Sequence, residues 1–192
     1  MHSLLIIKTK TMGLDMYLTK KTYVKNWDYQ KPEHKHKVTI KLGNKVRKDI
    51  KPERISNIVE EIAYWRKFNA LHNWFIQNCA DGEDNCREMY VSKEHVIELV
   101  DTLKKVKASL DKSAKKTIKI ETGWANGEKT YGDVEVFSNT KVADELLPTQ
   151  EGFFFGGVQY DQYYYDSVVN AIETFEGILT ETNGDYYYQA SW

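Results

Sequence analysis

The chain has 192 residues, 27 Lys and Arg against 28 Asp and Glu, and 41% hydrophobic and 29% charged residues. Length and proportions exclude collagen-like, low-complexity and intrinsically disordered classes and predict one compact domain large enough to bury a core. The early apolar run Leu4-Leu5-Ile6-Ile7 is too short for a signal-peptide core or a membrane span, which points to the cytoplasm and to no membrane partner.

Residues 1–11 carry no period and precede a second methionine, Met12, so they read as a loose leader or an upstream start, with the domain running from 12 to 192. From Leu14 the alternation of Leu14, Met16 and Leu18 predicts a strand, ended by Asn26-Trp27-Asp28. His36 to Leu42 alternates again, and Gly43-Asn44 is a turn into a short strand near Val46 to Ile50. Pro52 stands where a helix can begin.

A long helix is predicted over about 57–78, because Ile58, Ile62, Trp65, Asn69, His72 and Ile76 fall on one 3.6-residue stripe. Asn69 and His72 are polar on that stripe, so each needs a hydrogen-bond partner, in a structural network or on the floor of a site. Ala80 to Asp84 reads as a loop, and Ser92 as the cap of a second helix from Lys93 to Leu110, with Val96, Leu99, Val100 and Leu103 as its buried edge. Thr117–Glu121 and Asp133–Phe137 alternate as strands. Gly152 to Gly157, holding three phenylalanines, reads as a buried strand with Phe153 and Phe155 on one face. A third helix follows from Asp161 to Leu179, striped by Tyr164, Val168, Ile172, Phe175 and Leu179, and Asp185 to Gln189 closes the chain as a strand. This order predicts an α+β domain, mainly antiparallel sheet packed against about three helices.

The near-zero net charge conceals a segregation. The first 120 residues hold 25 Lys and Arg against 15 Asp and Glu, a balance of +10; the rest hold 2 against 13, a balance of −11. Of the 25 aromatic residues, 15 lie in the shorter, acidic part, and Tyr and Trp suit interfaces and pockets as well as cores.

The phosphate-loop, dinucleotide, zinc-protease, nucleophile-elbow and calcium-loop motifs are all missing from the sequence. Cys79 and Cys86 bracket an acidic loop without zinc-knuckle spacing, even with His34 and His36 added, so they read as ordinary thiols with no metal and no cofactor. Three segments concentrate functional side chains. In the first, Trp65, Arg66, Asn69, His72 and Asn73 project close together and offer a stacking face, a phosphate- or carboxylate-binding fork and amide groups. Its plainer reading is a core helix whose Arg66 pairs with a carboxylate from the acidic part of the chain. The second comprises Gln150, Phe154, Tyr160, Asp161 and Tyr164; the third, Tyr187 and Trp192 in a tail whose aromatic end implies that it is packed down. The run Lys104, Lys105, Lys107, Lys112, Lys115, Lys116 and Lys119 is a weaker candidate for nucleic-acid contact, its ordinary reading being a solvated helix end.

Met12-Gly13-Leu14-Asp15-Met16-Tyr17-Leu18, Tyr64-Trp65-Arg66-Lys67, His72-Asn73-Trp74-Phe75, Leu147-Pro148-Thr149-Gln150, Gly152 to Gly156 and Tyr186-Tyr187-Tyr188-Gln189 with Ser191-Trp192 carry a resemblance. The chain resembles, from Met12 to its end, a family of small proteins that recurs in bacteriophages and prophages. The resemblance implies a phage accessory protein at work in the host cytoplasm, a class that includes anti-CRISPR inhibitors and nucleotide-sequestering sponges.

Three functions compete. The leading one is a non-catalytic phage protein that blocks host immunity by binding a defence protein or its nucleic acid. The second is a nucleotide-binding pocket around Trp65, Arg66, Asn69 and His72. The third is a small enzyme acting on a nucleotide or nucleic acid, with His72 as general base oriented by Asp161 or Asp166. The reading leans away from the enzyme. Opposite charges on one chain also favour a homodimer.

Overall fold

The computed structural model describes residues 13–125 and 127–192; the leader expected at 1–11 and the start at Met12 lie outside them. Strand β1 (Asp15–Tyr23) forms where alternation demanded it, and Leu14, Met16 and Leu18 are all fully buried. It pairs antiparallel on one side with β4 (Asn57–Arg66) and on the other with β8 (Asp185–Ser191), and β8 pairs with β5 (Met89–Val91), giving the order β4-β1-β8-β5. The closing strand is therefore an inner strand, and it turns Tyr188 and Ala190 into the core.

Strand β4 replaces the first half of the long helix expected over 57–78. Its β-branched residues Ile58, Val59 and Ile62 are as compatible with a strand as with a helical stripe, and β1 needs a ladder partner on this flank for its backbone N–H and C=O groups. Ile62 is skipped in the register, since Leu18 pairs with Ala63 and Thr19 with Glu61. That bulge disrupts the two-residue period and leaves the helical one conspicuous. Lys67, at φ +59°, turns the chain out of the sheet, and α1 (Asn69–Cys79) then runs for 11 residues, about 16 Å.

Helix α2 (Lys93–Leu110) forms as its cap and stripe indicate, and α4 (Gln162–Leu179) as its stripe indicates, with Asp161 as its cap rather than its first residue. Ser92 Oγ accepts from the His95 N–H at 3.1 Å, and the His95 ring accepts back from the Ser92 N–H. Asp161 accepts from the Tyr164 N–H at 3.0 Å. The two helices pack against each other and, with α1, cover one face of the sheet. Stacked rings join the layers: Phe75 of α1 lies 4.0 Å from Tyr188 of β8, and Phe175 of α4 lies 5.7 Å from Trp65 of β4.

Two hairpins project from this body, the second anchored at its base, where Phe137 enters the core and Val136 bridges to Asp161. Strands β2 (Lys41–Leu42) and β3 (Lys45–Val46) flank Gly43-Asn44 and are shorter than the sequence predicted. Strands β6 (Lys115–Ala125) and β7 (Glu128–Phe137) form a longer ribbon than predicted, followed by a short helix, α3 (Lys141–Leu146). The strand expected over Gly152 to Gly157 is a turn. Phe155 N–H bonds to the Gly152 carbonyl, Gly156 sits at φ +90°, and Phe153 is 96% exposed while Phe155 is buried. Glycines at both ends let the chain fold back on itself, so Phe153 and Phe155 do not share a face.

Candidate functional site

The turn after β4 and the segment 148–160 meet around Asn69. This residue is buried, its Nδ2 donates to the carbonyls of Phe155 (3.1 Å) and Gly157 (2.8 Å), and its Oδ1 accepts from the Gln150 N–H (3.1 Å). One amide thus holds three backbone groups of a segment that has no strand ladder to hold it. The same segment is tied to β1, where the Leu14 N–H donates to the Phe154 carbonyl at 3.0 Å. Tyr164 Oη donates to the Leu147 carbonyl at 2.9 Å, and Tyr160 Oη accepts from the Thr149 N–H. Burial pushes both phenols above their ordinary range. Asp161 is the cap of α4. Gln150 Oε1 is a buried acceptor with no partner among the described residues.

His72 is fully buried, with Nδ1 2.9 Å from Tyr188 Oη and Nε2 3.1 Å from Asp84 Oδ2. A carboxylate only accepts, so Nε2 carries the proton toward Asp84 and Nδ1 accepts from the Tyr188 hydroxyl. Burial lowers the His72 pKa, and the hydrogen bond to Asp84 only partly opposes it. The ring is a neutral link in a chain that runs from buried Tyr188 out to the surface, where Trp192 Nε1 donates to Asp84 Oδ1 at 3.3 Å. The acids expected to orient His72 lie elsewhere: Asp161 caps its helix and Asp166 accepts from Gln162 at 2.7 Å. As placed, His72 has no open side from which to take a substrate proton.

Trp65 is buried and donates to Asn170 Oδ1 at 2.9 Å. Arg66 pairs with Asp15 at 2.9 Å, and Asp15 also accepts from the Tyr64 hydroxyl. The fork does meet a carboxylate, but from the end of a strand rather than from a helix, and the partner belongs to the basic part of the chain, because β1 is the ladder neighbour of β4. Tyr163 donates to the Arg66 carbonyl. Asn73 and Phe154 are half-buried. Tyr187 lies apart from this group, in edge contact with Tyr90 and under Lys21 Nζ at 4.2 Å. The structure therefore brings together Asn69, Gln150, Phe154, Tyr160, Asp161 and Tyr164, joins His72 to Trp192, and leaves Tyr187 separate.

The cavity at the first group holds about 100 Å³ between Lys67, Asn69, Thr149, Gln159, Asp161 and Tyr163. Small-molecule sites typically need about 300 Å³ or more, so a nucleotide has no room there. A cavity of about 310 Å³ lies at the other end of the sheet, between Tyr90, Lys93, Ile178, Glu181, Asn183 and Tyr186. Cys79 and Cys86 are free thiols, and burial pushes Cys79 up to about 12. No cluster of three or more His, Cys, Asp or Glu suited to a metal occurs among the described residues. No helix among them is long and apolar enough to cross a membrane.

Four of the candidate lysines have carboxylate partners: Lys104 with Glu176, Lys105 with Asp101, Lys107 with Asp111 and Lys115 with Glu135. Lys116 is exposed on β6. The denser positive region is the excursion between β1 and β4, residues 24–56, which holds ten Lys and Arg against four Asp and Glu. All ten cations are exposed, and among the described residues only Arg47 has an ion-pair partner, Asp49. Within the excursion Trp27 and Tyr29 are 44% and 83% exposed, their rings nearly parallel at 14° with centroids 6.4 Å apart. Reading charge over two large blocks conceals this feature. The local pattern Lys25-x-Trp27-x-Tyr29-x-Lys31 is the signal that finds it.

The chain matches no family model, no curated protein and no solved structure. Fold and geometry thus define an α+β protein with a hydrogen-bonded interior and an outlying cationic excursion.

Proposed function

We propose that this is a phage accessory protein that counteracts bacterial immunity by binding, in the manner of an anti-CRISPR inhibitor, holding a defence effector or its nucleic acid in the host cytoplasm. The observation that carries the reading is that folding does not cancel the charge segregation. Among the described residues three ion pairs join the basic part to the acidic part, Lys20–Glu181, Lys104–Glu176 and Lys115–Glu135. The excursion keeps its surplus of six positive charges facing solvent. A field of that kind steers and holds a macromolecule of opposite sign. The commitment of His72, Asn69 and Trp65 to internal hydrogen bonds favours binding at the surface over chemistry in a cleft. Exposed rings such as Phe153 and Tyr163 supply the apolar anchors that interfaces use.

The test is phage plating on hosts that carry defined defence systems, CRISPR effectors included, with and without the expressed protein. Restored plating of a targeted phage in at least one immune host is the expected result. Unchanged plating across the panel, with the protein folded and expressed, refutes the proposal. Sequestering a nucleotide signal is the second reading, favoured only by the 310 Å³ cavity beside Lys93; it predicts a thermal shift with a nucleotide that a Lys93→Glu variant lacks.

A further inference from the structure

The excursion of residues 24–56 has too little core to exist for its own packing. Val24 is its only buried residue. It is nonetheless shaped. Asn26 Nδ2 donates to the His36 carbonyl (2.8 Å) and its Oδ1 accepts from the His36 N–H (2.7 Å), which fastens 35–37 beside 25–27. The Gln30 N–H donates to the Trp27 carbonyl at 3.1 Å, and Gln30 Oε1 accepts from the Trp27 N–H at 2.6 Å, which sets the turn carrying both rings. Val24 N–H donates to the Ser56 carbonyl at 2.9 Å and closes the base. Lys25 Nζ lies 5.1 Å from the Trp27 ring centre, and the Asn26–His36 pairing brings Lys35 and Lys37 to the same end.

We infer that this excursion is a binding site for single-stranded nucleic acid, with Trp27 and Tyr29 stacking on unpaired bases and Lys25, Lys31, Lys35 and Lys37 meeting the phosphates. The inference rests on the binding reading above and names the class of partner. Exposed parallel rings beside lysines with no ion-pair partner among the described residues combine the two contributions that hold single strands: base stacking on aromatic faces and backbone neutralisation. A duplex hides its base faces, and the excursion contains only 3-10 turns and two-residue strands, with no helix to enter a major groove. An acidic protein would satisfy the lysines but would leave the rings without a role.

Fluorescence anisotropy of the full chain with labelled 15-mers of oligo-dT and oligo-U, and with a matched duplex, tests this and separates DNA from RNA as the source. Single strands of at least one kind should bind, and the duplex at least tenfold more weakly. Four neutralised phosphates give a loss of roughly 50-fold between 50 and 200 mM salt, at a slope of about −0.7 per phosphate. Trp27→Ala/Tyr29→Ala should weaken binding roughly fivefold or more per ring at unchanged melting temperature, since both rings are exposed. Lys25→Glu/Lys35→Glu/Lys37→Glu should abolish binding and keeps the test alive should the aromatic variant misfold. Absence of oligonucleotide binding at 50 mM salt, equal affinity for the duplex, or an aromatic variant that binds like the wild type overturns the inference. Preference for a polyglutamate peptide over every oligonucleotide overturns it in favour of an acidic protein. The two proposals fail separately: restored plating without oligonucleotide binding removes this inference alone, and tight binding without restored plating removes the anti-defence reading alone.

Discussion

Replacing Asn69 with leucine probes the joint between the two halves of the candidate site. Leucine has the same number and branching of side-chain heavy atoms as asparagine but no hydrogen-bonding group, so it fills the buried position while three hydrogen bonds are lost, at 2.8, 3.1 and 3.1 Å. Each contributes about 1 kcal/mol net, and a buried backbone group left without a partner adds to that. The expected loss is about 3–5 kcal/mol, a large share of the roughly 5–15 kcal/mol that typically holds a domain together. In urea, with a slope of about 2 kcal/mol per molar, the unfolding midpoint should fall by about 1.5–2.5 M. The assay is urea denaturation followed by tryptophan fluorescence and by far-ultraviolet circular dichroism, whose transitions should coincide. A midpoint shift under about 0.5 M, equivalent to about 1 kcal/mol by the same slope, would mean that segment 148–160 holds itself and that Asn69 does not organise it.

Acidification should destabilise the fold through His72. Burial depresses its pKa in the folded state, so below its ordinary value near 6.5 the unfolded chain takes up the proton first. The stabilisation is thus complete above that pH and lost as pH falls toward the folded value; melting temperatures from pH 7.5 to 5 should drop more steeply for the wild type than for His72→Gln, and parallel curves would contradict the assignment. Cys79, pushed up to about 12, should react with iodoacetamide at pH 8 roughly a thousandfold more slowly than in the unfolded chain, since only the thiolate reacts; peptide mass spectrometry reads the rate, and similar rates would count against the buried thiol. Gly156→Ala puts a side chain at φ +90° with its Cβ 3.0 Å from Lys67 Cβ, which should cost about 1–3 kcal/mol. Phe153→Ala, at an exposed tip of the same turn, should stay within about 0.5 kcal/mol of the wild type; equal losses for the two in thermal denaturation would refute the turn geometry.

Features that depend on local sequence were readable in advance. Ser92 caps the helix it was expected to cap, the stripe from Tyr164 to Leu179 forms the helix it indicates, and Leu14, Met16 and Leu18 point inward together. Features that depend on distant partners were not. Residues 57–66 satisfy a helical stripe on paper, and only pairing with β1, 51 positions earlier at Asp15↔Arg66, makes them a strand. The Gly152–Gly157 turn depends on Asn69, 86 residues before Phe155, so its three phenylalanines could be assigned a strand's alternation without contradiction. Convergence of the first two candidate segments was implicit in their polar residues, because a buried Asn69 requires partners. The role of those residues was not, since a hydrogen-bonded floor and a structural staple have the same composition. Trp27 and Tyr29 carry no strand or helix period, since their surroundings alternate weakly, and a charge balance over 120 residues dilutes the lysines beside them.

The central claim is that the cationic excursion faces outward to hold something foreign. Its most direct test is affinity capture of the tagged full chain from infected cells, at low and high salt, beside the Lys25→Glu/Lys35→Glu/Lys37→Glu variant, with the recovered proteins and nucleic acids identified. The account predicts a defence effector or its nucleic acid that is enriched with the wild type, released by salt and missing from the variant. Identical recoveries from the wild type and the variant would contradict it.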